Sequence, residues 1–294
     1  MSARLTATAL SASLAERLAR EPLAEAGEVA LFWLGQAGFV LEAARRRLLI
    51  DPYLSDSLAA KYAGSATPHE RMMPAPVAPE TIGRVDAVLL THRHTDHMDP
   101  ETLQPLARRF DDLRFVAPAA ERGEALRRAG IEADRLLAVD AGQRHEILPG
   151  VAICVTRAAH ETLERDADGR HRFLGFAIEA EGVTVFHSGD TVPFPGQAEE
   201  VAALRPDLAL LPVNGRSAAL TAAGVAGNLT AAEAAALCRA AGIPAMLAHH
   251  YGLFAFNTAE PEAIDALAAT VSPLRMERAR TGLEYRLCAA PRLG

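Results

Sequence analysis

The chain has 294 residues, half of them hydrophobic and 23% charged, which suits a globular protein of one large domain or two small ones. A formal charge of −7 argues against a nucleic-acid backbone as partner, since such proteins present a basic face. There is no membrane-length apolar run, no signal-peptide pattern at the N-terminus and no Cys-x-x-Cys. The expectation is a cytoplasmic protein in which Cys154, Cys238 and Cys288 are small buried hydrophobes.

Leu10, Leu14, Leu18 and Leu23 recur at near-helical spacing within residues 8–26, which predicts an amphipathic helix or two, broken by Pro22. Glu28 to Leu41 alternates toward a strand pair around Gly35-Gln36-Ala37-Gly38. The run Arg45-Arg46-Arg47 reads as an exposed turn before the strand Leu48-Leu49-Ile50. Residues 55–80, with four prolines, read as an irregular loop, a candidate lid in which Lys61 and Arg71 could face an anionic ligand.

A strand then runs to Leu90, and Asp99-Pro100-Glu101 has the signature of a helix start, the helix extending to about Phe110. A strand at 114–117, a helix at 120–129 ending at Gly130 and a strand at 135–139 follow. From His145 the pattern is β, with a hairpin about Glu181-Gly182. Helices at 197–204, 231–241 and 261–269 alternate with strands at 208–211 and 245–248, and a strand at 282–287 closes the chain. No linker or short repeat appears, so one domain over 1–294 is expected, with 1–26 as a helical extension.

The densest chemistry is Thr91-His92-Arg93-His94-Thr95-Asp96-His97, directly after an apolar strand. Four ligand-type side chains so close cannot all serve one tetrahedral ion without strain. His92 and His94 alternate onto one side of an extended segment, while Asp96 and His97 fall where a helix begins and can face a second ion. Three further strands stop at ligand-type residues: His160, Asp190 and the pair His249-His250. Ligands presented at one sheet edge share one crevice. His92, His94 and His160 would hold one ion; Asp96, His97 and one of His249 or His250 a second, with Asp190 bridging. A water or hydroxide between ions roughly 3.5–4 Å apart would be the nucleophile. Imidazole and carboxylate donors suit zinc, manganese or iron alike. His187 could orient Asp190 or be a core histidine, while His69, His145 and His171 lie off the constellation.

The order His-x-His-x-Asp-His, His160, Asp190 and a late histidine resembles the metallo-β-lactamase fold hydrolases over nearly the whole chain. The resemblance implies an αββα sandwich of two mixed sheets flanked by helices, with one or two divalent metal ions at one end. Trp33 to Phe39, Asp51-Pro52-Tyr53, His187 to Thr191, Pro212 to Arg216, Gly227 to Thr230 and His250 to Thr258 are similar to the UlaG-like branch, which contains L-ascorbate-6-phosphate lactonase. In that branch the late ligand precedes Tyr, which favours His250. Catalytic roles fall to Asp96 and Asp190, and substrate contacts to Tyr53, Asn214, Arg216, Asn228, Tyr251 and Asn257. Arg216, and the helix start at Thr230-Ala231-Ala232-Glu233, would favour an anion.

The expected function is therefore hydrolysis of a lactone, ester or amide in a small anionic substrate. The alternatives are a phosphodiesterase resembling N-acylphosphatidylethanolamine phospholipase D and a non-hydrolytic metal-binding module. His94 stands where a di-iron oxygen-reducing relative would place an acid. The resembled lactonase is oligomeric, which leaves a homo-oligomer open, although the sequence shows no interface signature.

Overall fold

Along β2 (Glu28–Gly35) successive side chains enter two different hydrophobic clusters, Leu31 and Trp33 one, Ala30, Phe32 and Leu34 the other. This is the period of two that a strand covered on both faces requires. The computed structural model describes residues 3–22 and 25–289. Preceding β2 are β1 (Arg4–Ala9) and α1 (Leu14–Leu18). After it come β3 (Gly38–Ala43), β4 (Arg46–Ile50), α2 (Ser57–Lys61), β5 (Ala87–Leu89), α3 (Pro100–Arg109), β6 (Arg114–Pro118), α4 (Arg122–Ala129) and β7 (Leu136–Val139). With the last strand, β15 (Leu283–Cys288), these form a sheet in the order β1-β15-β2-β3-β4-β5-β6-β7, antiparallel as far as β4 and parallel beyond. Leu14, Leu18, Leu103, Leu106 and Ala125 cover its outer face.

The second sheet is built the same way. β8 (Arg144–Leu148), β9 (Val151–Arg157), β10 (Leu174–Ala180) and β11 (Val183–His187) are antiparallel neighbours. β12 (Leu208–Pro212), β13 (Ala245–His249) and β14 (Arg275–Arg278) continue from β11 in parallel. Between them run α5 (Gln197–Leu204), the short α6 (Ala218–Ala222), α7 (Ala231–Ala240) and α8 (Pro261–Ala268). Val201, Leu237 and Ile264 bury on this side, while Phe39 and Ile50 of one sheet share a core with Phe176 and Val185 of the other. The result is two mixed sheets face to face with helices outside. β2, β4, β5, β9, β11, β12 and β13 run in matching senses, so their C-terminal ends open on one edge.

Four expectations differ. Residues 4–9 are an edge strand in which only Leu5 is buried, so no apolar alternation announced it. Of the leucines taken for a long N-terminal helix, Leu14 and Leu18 are helical, Leu10 is not, and Leu23 lies outside the described residues. β14 was missed because three of its four residues are charged and only Met276 is buried. The arginine run is not one exposed turn: Ala44 and Arg45 turn with φ of 51° and 60°, whereas Arg46 and Arg47 lie on β4.

Arg47 stands directly opposite Glu42 on β3 and pairs with it at 2.7 Å, both side chains fully buried. Its guanidinium also donates to the carbonyls of Leu18, Arg20 and Arg84, binding the N-terminal segment to the sheet. Removing Arg47 takes from buried Glu42 one of its guanidinium partners, Arg17 at 2.7 Å remaining, and leaves three carbonyls without their donor, so Arg47→Ala is expected to lower unfolding stability by about 2 kcal/mol or more in urea denaturation. Arg45→Ala, on the exposed turn, should leave the midpoint where it is.

Candidate metal centre

At the common edge, β5 ends and the chain crosses Thr91 to His97; β9 leads to His160, β11 to Asp190 and β13 to His250. These side chains converge. Ligand atoms of His92, His94 and His160 lie within 4.8 Å of one another, as do those of His92, His97 and Asp190, and of Asp96, His97 and His250. Asp190 joins the groups: its Oδ2 is 3.3 Å from His97 Nε2, 3.1 Å from His250 Nε2 and 3.7 Å from His160 Nε2. Phe173 packs its ring 5.1 Å from both His92 and His160, holding that half from one side. His249 points elsewhere, stacked on His187 in the core.

A second layer sets the tautomers. Asp51, at the end of β4, accepts from His97 Nδ1 at 2.7 Å and from the Thr91 amide and hydroxyl at 2.8 and 2.6 Å. With its proton on Asp51, the Thr91 hydroxyl is left to accept from His92 Nδ1 at 3.0 Å. Both rings thus hold a proton on Nδ1 and turn Nε2 inward, the nitrogen that ligates metal. Gln36, in the β2–β3 turn, donates to Asp96 Oδ2 at 2.8 Å. His187 donates from Nε2 to Ala37 O and accepts at Nδ1 from the Gly189 amide, so it fixes the loop before Asp190 and makes no hydrogen bond to the carboxylate. Gly189 has φ of +61°, and a Cβ there would meet Leu174 O at 2.5 Å, so the approach of this loop to Thr91 and β10 needs glycine.

The donors fit a cation. Nε2 of His92, His97 and His250 and Oδ1 of Asp190 are buried without a hydrogen-bond partner, which native interiors rarely tolerate unless something else binds there. Burial lowers the pKa of His160 to about 4 and that of His92 well below the ordinary value, so protons do not compete for these nitrogens at neutral pH. For His97 burial acts in the same direction, but the carboxylates of Asp190, Asp51 and Asp96 outweigh it and raise the pKa well above normal. A metal ion would take the place of that proton.

Residues 46–251 match the family model of the beta-lactamase superfamily domain. A metal-dependent hydrolase of the UPF0173 group from Thermoplasma acidophilum is 30% identical over 243 residues, 82% of this chain and 91% of that protein. One from Rubrobacter xylanophilus is 30% identical over 80% of this chain and 87% of its own length. The chain belongs to the beta-lactamase superfamily. Among solved structures the fold is similar to an isothiocyanate hydrolase from Delia radicum gut bacteria, with TM-score 0.70, 21% identity and coverage of 87% of this chain and 98% of that one. It is also similar to a metallo hydrolase from Ignicoccus hospitalis, with TM-score 0.63, 20% identity and coverage of 88% and 98%. The chain is thus a metal-dependent hydrolase of this superfamily, with a His/Asp cluster able to bind metal.

The cluster opens into a cavity of about 540 Å³ lined by Gln36, His94, Asp96, His160, Asp190 and His250 at its base. Of the residues expected to contact substrate, only Asn257 lines it. Asn257 accepts from Asn214 Nδ2 at 2.9 Å, and Asn214 accepts from Asn228 at 3.1 Å, a relay with its last two members buried. Tyr53 is buried, its hydroxyl accepting from the Leu58 amide. Tyr251 is stacked on Trp33 and donates to Ala279 O.

Arg216 is committed elsewhere: it pairs with both oxygens of Glu233 at 2.6 Å, pushing that carboxyl to about 2. Glu233 and Thr230 also cap α7, so the expected anion site is filled by the chain itself. Arg71 donates to the carbonyls of Tyr53, Ser55 and Met73 and does not line the cavity. His69, expected off the site, does line it, together with Lys61, which ends α2, a helix within the segment expected to be irregular.

Reading residue types along the chain missed Gln36, Asp51 and Thr91 as site residues; the available signal was that β4, too, ends on a carboxylate. Loss of a ligand's outer hydrogen-bond partner typically costs 10–100-fold in metal affinity. Asp51→Asn is therefore expected to weaken zinc binding by about that factor in competition with a chromogenic chelator. Zinc uptake by chelator-treated protein in weakly buffered solution should also release protons, because His97 enters carrying one. Uptake without release would show that His97 Nε2 is not displaced.

Proposed function

We propose that this hydrolase opens a lactone or cleaves an ester or amide bond of a small anionic substrate. His92, His94 and His160 would hold one divalent ion, Asp96, His97 and His250 a second, and Asp190 would be common to both. The observation that carries the reading is the convergence of three imidazole nitrogens on one buried Asp190 oxygen within 3.7 Å. Zinc, manganese or iron all suit this donor set. Such ions would polarise the scissile group and lower the pKa of a water toward neutrality.

The protein's own part is orientation. Gln36, a neutral donor, holds Oδ2 of Asp96 without competing for charge, so the carboxylate is oriented toward the cavity floor. The cavity suits a small molecule. Four cations line it, Lys61, Arg93, Arg128 and Arg172. Arg128 is already paired with Glu124 at 2.5 Å and Arg172 with Glu121 at 2.5 Å. Arg93, largely exposed, lies 3.9 Å from the same Glu121, which leaves Lys61 to meet an anionic substituent, fewer charges than a phosphoryl clamp would use. The likeness to the L-ascorbate-6-phosphate lactonase branch supports a cyclic ester. The fold relative named for isothiocyanate hydrolysis points the same way, since both reactions add water to an electrophilic carbon next to a heteroatom.

Protein reconstituted with zinc or manganese is expected to hydrolyse members of a panel of lactones and p-nitrophenyl esters faster than bis(p-nitrophenyl) phosphate, and Asp190→Asn should bring turnover to near background. Turnover of the phosphodiester alone would move the assignment to phosphodiesterase chemistry. Less than one ion per chain, with no gain on reconstitution, would point instead to a non-hydrolytic metal-binding module.

A further inference from the structure

The chain is only 5% aromatic, yet Tyr62, Phe173, Phe254 and Phe256 all line the cavity that the His/Asp cluster opens into. Phe173 is accounted for by its packing on the histidines. The other three form a continuous wall with His69. Tyr62 stacks on His69 at 4.2 Å between centroids, and His69 meets Phe254 and Phe256 edge-on at 5.0 and 4.7 Å. Phe254 and Phe256 lie parallel to within 6°. His69 donates from Nδ1 to Thr67 O at 2.8 Å, and burial lowers its pKa, so it joins the wall as a neutral flat ring.

Internal packing does not explain this wall fully. Leu253 and Phe254 are buried in a small hydrophobic cluster separate from the two that hold the sheets. Tyr62, His69 and Phe256 stay half-buried, with ring surface bordering the cavity. Half-exposed rings stacked on one another, in the same cavity as Asp96 and Asp190, offer apolar area at little cost in side-chain entropy.

We propose that this wall seats an aryl group, or an equally flat apolar group, of the substrate, so that the enzyme takes an aryl-bearing lactone or ester rather than a sugar phosphate. This specificity rests on the hydrolase reading above. Lys61, whose ammonium lies 4.9 Å over the Tyr62 ring, marks the outer end of the wall and would meet an anionic substituent there.

The test separates binding from chemistry. Zinc-loaded full-length protein is titrated calorimetrically with 3-phenylpropionate and with propionate, which share the carboxylate. It is then assayed with γ-phenyl-γ-butyrolactone and γ-butyrolactone, which share the ring that opens. Burial of a phenyl ring should favour the aryl member of each pair by about tenfold or more. That preference should fall to within about threefold in Phe256→Ala and in Tyr62→Ala, two variants on separate segments, so that either suffices if the other does not fold. Equal binding of the two acids by the unaltered protein would overturn the proposal, as would a preference undiminished in a folded variant. An aryl preference in binding with no turnover of either lactone would keep the wall and remove the lactone reading.

Discussion

A carboxylate at 4% exposure must be matched where it sits, and Asp190 faces imidazole nitrogens that arrive from other strands. His97 follows β5 in the first sheet, whereas His160, His250 and Asp190 itself follow strands of the second. The charge therefore requires both sheets to end at one edge, at a fixed separation. A lateral slip of either sheet would leave a buried carboxylate facing buried nitrogens with neither partner nor water, each an expense of several kcal/mol by ordinary desolvation. The sandwich supplies the rigidity that prevents the slip. Phe39 and Ile50 interlock with Phe176 and Val185, so the strands beneath the cluster cannot shift independently.

Three of the seven non-glycine residues with positive φ among the described residues stand at the same edge. Gln36, Asp51 and His250 are non-glycine residues with φ of 48°, 43° and 61°. Conformations of this kind cost about 1–3 kcal/mol each and persist only where surroundings over-determine them. Here the surroundings are visible. The His250 amide donates to Gln36 O, which also accepts from Trp33 Nε1, and the Asp51 amide donates to Leu89 O while its carboxylate holds Thr91 and His97. Each strained residue is the hinge that swings a side chain from the end of a strand into the shared site.

What could be read in advance follows from which constraints are local. Most strands and outer helices were legible one by one from their apolar patterns, whereas the sandwich of two mixed sheets was expected only from the resemblance of the ligand order to a known fold. The cluster from His92 to His97 was legible because ligand atoms adjacent in sequence have no other common explanation. β1 and β14 were opaque because edge strands bury a single residue each, Leu5 and Met276, and leave no period to detect. Arg47 and Arg216 were misread for a deeper reason: an arginine's role depends on which carboxylate the fold brings to it. Glu42 lies across a strand pair and Glu233 on a helix 17 residues away. Charge in a sequence shows that a partner is needed, and only packing shows which.

The two halves of the site stand on different foundations. The metal-facing side chains rise from strands whose apolar residues belong to the main cores, and nothing in them can move without disturbing the sandwich. The ring wall rises from the segment around α2 and from residues 253–256, whose hydrophobic members form a small cluster of their own. The halves meet at few places: Met73 packs against both the main core and the small cluster, and Gln36 and His250 line the same cavity as the wall. Substitutions in residues that share neither contacts nor a hydrogen-bond network combine nearly additively. The wall is therefore free to be reshaped for different substrates while the strand ends keep their metal chemistry, a division of labour that places specificity on loops and reaction on the rigid scaffold.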